Sequence, residues 1–342
     1  MKKKKKKDGK RKQAPQYLEV LGKVAIELAE ADDRVCAITA AMAEGTGLVE
    51  FSRRFPERFF DVGIAEGHAV TFSGGLVAAG MRPITAIYST FLQRAFDHLI
   101  HDVALQNLPV IFALDRAGVV GEDGPTHHGS FDLSYLSLIP NMIVSAPKNG
   151  DEMRNLLHTA LNQDKFPFAI RYPKDSCTSF NPGREPEILP VGSWEIIEHG
   201  KDLVILAVGS MVEFCEYACE ILLNEGIKPG LVNCRFVKPI PEETLLDMCN
   251  RYDHILTVEE NSLMGGFGSQ VVSFLTSRKI NSDRVVSLGI SDNFVEHGAR
   301  YLLLDMLGLS PDKIASKVRE ILEGRAAIVR KGKMAGKVKK GF

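Results

Sequence analysis

Residues 60–97, FDVGIAEGHAVTFSGGLVAAGMRPITAIYSTFLQRAFD, constrain the fold more than any other part of the chain. A short apolar strand pattern (Phe59, Phe60, Val62) leads into Glu66, and a long run of small residues at helical spacing follows from near His68 through Gly74, Gly75, Ala78 and Ala79. A second strand pattern over residues 83–88 then ends in Ser89-Thr90-Phe91-Leu92-Gln93-Arg94. Strand, acid, helix, strand is the order of a βαβ unit. A carboxylate at its first junction lies beside backbone N–H groups at the surface edge of a sheet, where a ligand reaches it. The same pattern equally describes an ordinary βαβ unit whose acid caps a helix.

The flanking sequence repeats the alternation. Helical spacing over residues 17–31 is followed by Asp32, Asp33 and a strand at 35–39, and further strands read at 110–114, 142–145 and 168–172, with a helix starting near Asp151 between the last two. This predicts a doubly wound, mainly parallel α/β sheet over residues 16–175, with ligands bound beyond the carboxyl ends of the strands. Pro182, Gly183, Pro186 and Pro190 punctuate a linker at 176–190. A second α/β domain over 191–325 has strands at 203–208, 229–233, 254–259 and 285–287, alternating with helices near 211–225, 242–249, 268–277 and 311–322. The glycines of Met264-Gly265-Gly266-Phe267-Gly268 lack dinucleotide-fingerprint spacing and read as a tight turn needed for close packing. The Lys-rich residues 1–15 cannot bury apolar surface and are expected to be disordered, and the basic tail at 326–342 is expected to fray.

Composition excludes several classes. The net charge of −1 gives no overall field for nucleic acid, and the longest apolar runs, such as 203–208, are far shorter than the roughly 18 residues of a membrane-spanning helix. The six cysteines form no CxxC pair and have no histidine partner at zinc-finger spacing, which reads as buried, reduced thiols in a cytoplasmic protein. In Asp123-Gly124-Pro125-Thr126-His127-His128-Gly129 the adjacent histidines lack a third metal ligand at suitable spacing. Arg116 and Arg171 stand at two strand ends, where a pair of guanidiniums suits a phosphomonoester; each taken singly reads as an ordinary surface ion-pair partner.

The words IAEGHAVTF, IYSTFLQRAFDHLIHDVALQNLPV, DRAGVVGEDGPTHHGSFDLSYL and AIRYPK together resemble the pyrimidine-binding half of the 1-deoxy-D-xylulose-5-phosphate synthase family within the transketolase superfamily. The Glu259-Glu260-Asn261 and GGFG words resemble the transketolase C-terminal domain, so that the similarity runs from about residue 17 to about 322. The resemblance implies a thiamine-diphosphate transferase joining pyruvate to glyceraldehyde 3-phosphate for isoprenoid, thiamine and pyridoxal biosynthesis. It assigns Glu66 to the cofactor's aminopyrimidine, with Phe91 stacked on that ring, Ile64 as its apolar neighbour and Arg94 between cofactor and substrate. It places Tyr88, Arg116 and Arg171 near the substrate phosphate, and Asp123 and His127 toward substrate oxygens, with His127 assisting proton movement. Magnesium and the cofactor's diphosphate belong to an N-terminal half with no counterpart here, which points to a separate diphosphate-binding subunit; the resemblance also implies a homodimer. Gly67 departs from the family, which commonly has glutamine there. Two alternatives stay open: the second subunit of a split transketolase or 2-oxoacid dehydrogenase, and an inactive dimerisation or regulatory module.

Overall fold

The structure, a computed structural model, describes residues 14–201 and 203–338, with side chains described as far as 324. Residues 1–13 of the basic lead and 339–342 of the tail lie outside this range. In chain order the strands are β1 (Val35–Thr39), β2 (Phe59–Asp61), β3 (Arg82–Tyr88), β4 (Ile111–Asp115), β5 (Ile143–Ser145), β6 (Phe168–Arg171), β7 (Glu195–Glu198), β8 (Leu203–Ala207), β9 (Gly230–Asn233), β10 (Phe236–Lys238), β11 (His254–Ser262) and β12 (Val285–Ile290).

They form a seven-stranded sheet of order β10-β5-β6-β4-β3-β1-β2 and a five-stranded sheet of order β12-β11-β8-β9-β7. Pairing is parallel except at β10, which runs antiparallel to β5, and β7, which runs antiparallel to β9. β1, β3, β4 and β6 are buried along their whole length. That is what continuous Val/Ile/Ala-rich strands become when helices cover both faces of a parallel sheet. Helices Tyr17–Ala31 and Gly150–Asn162 bury apolar stripes against one face of the first sheet. Helix Glu66–Ala78, the π-helical segment Leu99–Ala104 and helix Asp132–Leu138 cover the other.

That second apolar layer does not stop at the domain boundary. It continues through Trp194, Val204, Val232 and Phe267 of the second domain, whose indole Nε1 donates to the Phe236 carbonyl at 2.7 Å. Two docked α/β domains, not two beads on a linker, are the result.

Two of the differences from the expected elements have local causes. β7 and β10 went unread because EIIE and FVK are short, charged edge segments without a sustained period. Helix Arg300–Met306 went unread because its exposed face carries Tyr301, Leu302 and Met306, which blurs the polar/apolar alternation. The last helix, expected over 311–322, runs Pro311–Val338.

Candidate active site

The first sheet delivers its chemistry to one edge. Register places Tyr88, the last residue of β3, beside Asp115, the last of β4, and Leu114 beside Arg171, the last of β6. On the other side β1 and β2 end at Thr39 and Asp61, and the chain passes through Gly63 (φ 68°) to Glu66, the first residue of its helix. A carboxylate there is favoured by the helix dipole and free N–H groups. After β4 the chain turns sharply: Arg116 has φ 59°, and Gly118, Gly121 and Gly124 have φ 79°, 83° and 75°. A left-handed arginine is strained, as residues at functional sites often are.

Glu66 is 3% exposed, and its Oε1 accepts from Arg94 Nη1 at 2.6 Å. The Arg94 guanidinium lies 4.9 Å from the centre of the Phe91 ring. Phe91 in turn stacks on Tyr88 (5.4 Å, 20°) and meets His127 edge-on (5.4 Å, 65°). Arg116 lies 3.8 Å from the centre of the Tyr88 ring and donates to Asp115 Oδ1 at 3.1 Å and to the Gly45 carbonyl at 3.0 Å. Tyr88 is pinned: a Cβ on Gly45 would come within 1.9 Å of its hydroxyl. Burial pushes the Tyr88 phenol up to about 12, so it remains a proton donor at neutral pH. Six of the nominated residues are thereby joined by direct contact.

Ile64 lies 81% exposed just before Glu66, an uncovered apolar side chain two residues from a buried carboxylate. A flat heteroaromatic ring with exocyclic nitrogens fits this setting, with apolar walls for its faces and a fixed carboxylate for its edge. Gly67 makes room for a neighbour: a Cβ there would lie 2.8 Å from His98 Cε1. His68 stacks on Phe72 (5.9 Å, 11°), as a packed histidine does.

The two arginines expected to suit a phosphomonoester are both buried and hydrogen-bonded within the chain. Arg171 is 3% exposed; its Nε and Nη2 each donate to Asp132 at 3.1 Å, and Nη2 also donates to the Glu260 carbonyl at 2.9 Å. A guanidinium in this position must be neutralised, and Asp132, fully buried, does so. Only Nη1 is left outside these three bonds. Asp123 also has a partner that the sequence did not reveal: its Oδ2 accepts from Lys174 Nζ at 2.5 Å, and this bond holds the carboxyl below its ordinary range. His128 is structural. Its Nδ1 accepts from the Val120 N–H at 3.0 Å, which leaves Nε2 to donate to the Glu296 carbonyl at 3.1 Å.

Asp132, Lys174, Glu260 and Arg300 are hydrogen-bonded neighbours of the candidate site that sequence reasoning did not single out. A signal existed for Glu260: Glu259-Glu260-Asn261 is a polar run inside an apolar strand, and all three are fully buried. Glu259 accepts from the N–H groups of Phe267 (2.7 Å) and Gly268 (2.8 Å), at the start of the next helix, and burial lifts its carboxyl to about 7. A Cβ on Gly266 would lie 2.4 Å from Glu259 Oε2, which accords with reading these glycines as a close-packing turn. Among the described residues, no three His, Cys, Asp or Glu side chains are grouped to hold a metal ion, and no helix is long and apolar enough to cross a membrane.

Comparison with known proteins accounts for both domains. The family profile described as transketolase, pyrimidine binding domain, matches residues 13–178, and transketolase, C-terminal domain, matches residues 192–314. Proteins named 1-deoxy-D-xylulose-5-phosphate synthase from Aquifex aeolicus (strain VF5) and Dictyoglomus thermophilum are 53% and 52% identical over 92% and 91% of this chain. The chain spans 50% of the length of each. Among solved structures, a split-gene transketolase described as an inactive β4 tetramer superposes with a TM-score of 0.80 at 27% identity, over 90% of this chain and 99% of that one. A transketolase mutant from Pichia stipitis has the same fold, with a TM-score of 0.75 at 18% identity over 92% of this chain and 46% of that one. With a pyrimidine-binding domain and a C-terminal domain in that order, the chain belongs to the transketolase family.

Proposed function

We propose that this chain is the cofactor-activating and substrate-binding part of a 1-deoxy-D-xylulose-5-phosphate synthase, a cytoplasmic transferase condensing pyruvate with glyceraldehyde 3-phosphate, with loss of carbon dioxide. The observation that carries the reading is the buried Glu66 carboxylate, paired with an Arg94 guanidinium that also lies over the Phe91 ring, two residues after the exposed Ile64. Thiamine diphosphate, held by these residues, would supply the carbanion nucleophile and the electron sink that decarboxylation of pyruvate requires.

Glu66 exchanges a proton with the edge of the aminopyrimidine, and Arg94 fixes the carboxylate's orientation through Oε1. Phe91 and Ile64 orient the ring by its faces. Arg116 and the remaining Nη1 of Arg171 attract the phosphate of the acceptor, with Tyr88 as a neutral donor alongside. Asp123 and His127 bind the acceptor's oxygens, with His127 moving a proton at the carbonyl. The diphosphate and magnesium are bound by a further half of the family's enzyme, on the same polypeptide or on a separate subunit, and the working assembly is a homodimer of the paired halves.

The test mixes the purified chain with cofactor, magnesium, pyruvate and glyceraldehyde 3-phosphate, with and without a diphosphate-binding partner domain. Product is expected only with the partner, and Glu66→Gln is expected to lower kcat at least about 100-fold, the scale of a lost general acid/base. Absence of product in both mixtures, or an undiminished Glu66→Gln rate, overturns the proposal.

A further inference from the structure

Between Arg116 and Asp123 the chain is gripped at one residue from both sides by the second domain. The Val119 N–H donates to Glu260 Oε1 at 2.7 Å, and the Val119 carbonyl accepts from Arg300 Nε at 2.9 Å. Glu260 and Arg300 are themselves paired, Nη2 to Oε2 at 2.7 Å, with Ser210 Oγ donating to the same oxygen at 3.2 Å. Glu260 is fully buried, and there is no slack in the contact: a Cβ on Gly118 would lie 2.5 Å from its Cδ. Arg300 reaches further, Nη1 to Asp175 Oδ2 at 2.8 Å, and the preceding residue, Lys174, holds Asp123. A closed ring results, running Val119, Glu260, Arg300, Asp175, Lys174, Asp123 and back along the loop.

We infer that Glu260 and Arg300 are positioning residues, through which the C-terminal domain sets the loop that presents Arg116, Asp123 and His127 to the phosphorylated acceptor. The inference rests on the proposed acceptor-binding role of that loop. Ordinary interdomain packing would bury apolar surface against apolar surface. Here a buried carboxylate and a guanidinium are spent on the two polar groups of one loop residue, an arrangement that fixes backbone geometry and not merely proximity. Gln at position 260 keeps the volume and one acceptor, but presents an amide to Arg300 that can no longer pair with it in charge.

Amide hydrogen exchange followed by mass spectrometry on the whole chain, wild type against Glu260→Gln and Arg300→Lys, tests this without requiring turnover. Exchange in residues 117–124 is expected to accelerate at least about 10-fold in both variants, while β8 and β11 keep their protection. Unchanged loop exchange, or equal loss of protection across the second domain, overturns the inference. If one variant fails to fold, the other decides. In the assembled enzyme, KM for the aldehyde phosphate should rise about 10-fold with kcat within about 2-fold. A loop that loosens in an assembly with no turnover at all, wild type included, would refute the proposed reaction and leave the clamp standing.

Discussion

Removing Asp132 should be among the most damaging single changes to stability in this fold, and worse than removing its partner. Asp132 and Arg171 are 0% and 3% exposed and share two 3.1 Å hydrogen bonds. Asp132→Ala strands a buried guanidinium that cannot give up its proton, at a cost of about 3–5 kcal/mol. Arg171→Met strands a carboxylate that has two reliefs: it can take up a proton, and the Leu133 N–H still donates to it at 2.9 Å. Its cost should lie near the lower end of the same range, even though the Glu260 carbonyl also loses a donor. The double variant should cost little more than the worse single one, giving a non-additivity of about 3 kcal/mol. Urea unfolding followed by the fluorescence of Trp194, the chain's one tryptophan, is a suitable assay because the indole sits where the domains meet. Two single variants that each cost under about 1 kcal/mol and add simply would refute the reasoning, because they would mean that water reaches and screens the pair.

Burial lifts the Asp115 carboxyl to about 7 against the pull of Arg116, so the folded state holds a proton that the unfolded chain releases near pH 4. Its contribution to stability is complete below about pH 4 and is lost as pH rises through about 7. Asp115→Asn should therefore gain stability relative to wild type between pH 5 and pH 8 in thermal melts, and a difference independent of pH would count against it. Gly118→Ala combines a left-handed backbone with a Cβ 2.5 Å from Glu260 Cδ, and should cost about 2–4 kcal/mol by calorimetry. A loss under about 1 kcal/mol would mean that the loop moves away from Glu260 freely.

The helix Tyr17–Ala31 and strand β1 were legible to the residue, since the helix has an unbroken period, the strand is a continuous apolar run, and the turn residues Asp32 and Asp33 separate them. The edge strands β7 and β10 were not, because an edge needs only one partner and tolerates charge. Within the candidate site, the family resemblance nominated Glu66, Phe91 and Arg94 together, and their contact followed from their lying within one βαβ unit, where position along the chain determines position on the sheet edge. Arg171 was found, but its partners were not: Asp132 is 39 residues away and the Glu260 carbonyl 89. Nothing local records which acid will neutralise a buried arginine. The same holds for Lys174, whose bond to Asp123 spans 51 residues of sequence.

The seventh strand of the first sheet has a consequence for anyone dividing this polypeptide. β10 lies well beyond the linker, yet it closes the flank of β5, and the Trp194 indole is bonded to its first carbonyl. A proteolytic nick near residue 185 should leave the two pieces associated. Expressing residues 14–180 by themselves would instead expose the naked side of β5, a ready template for intermolecular strand pairing, and such a truncate should precipitate unless the remainder is supplied.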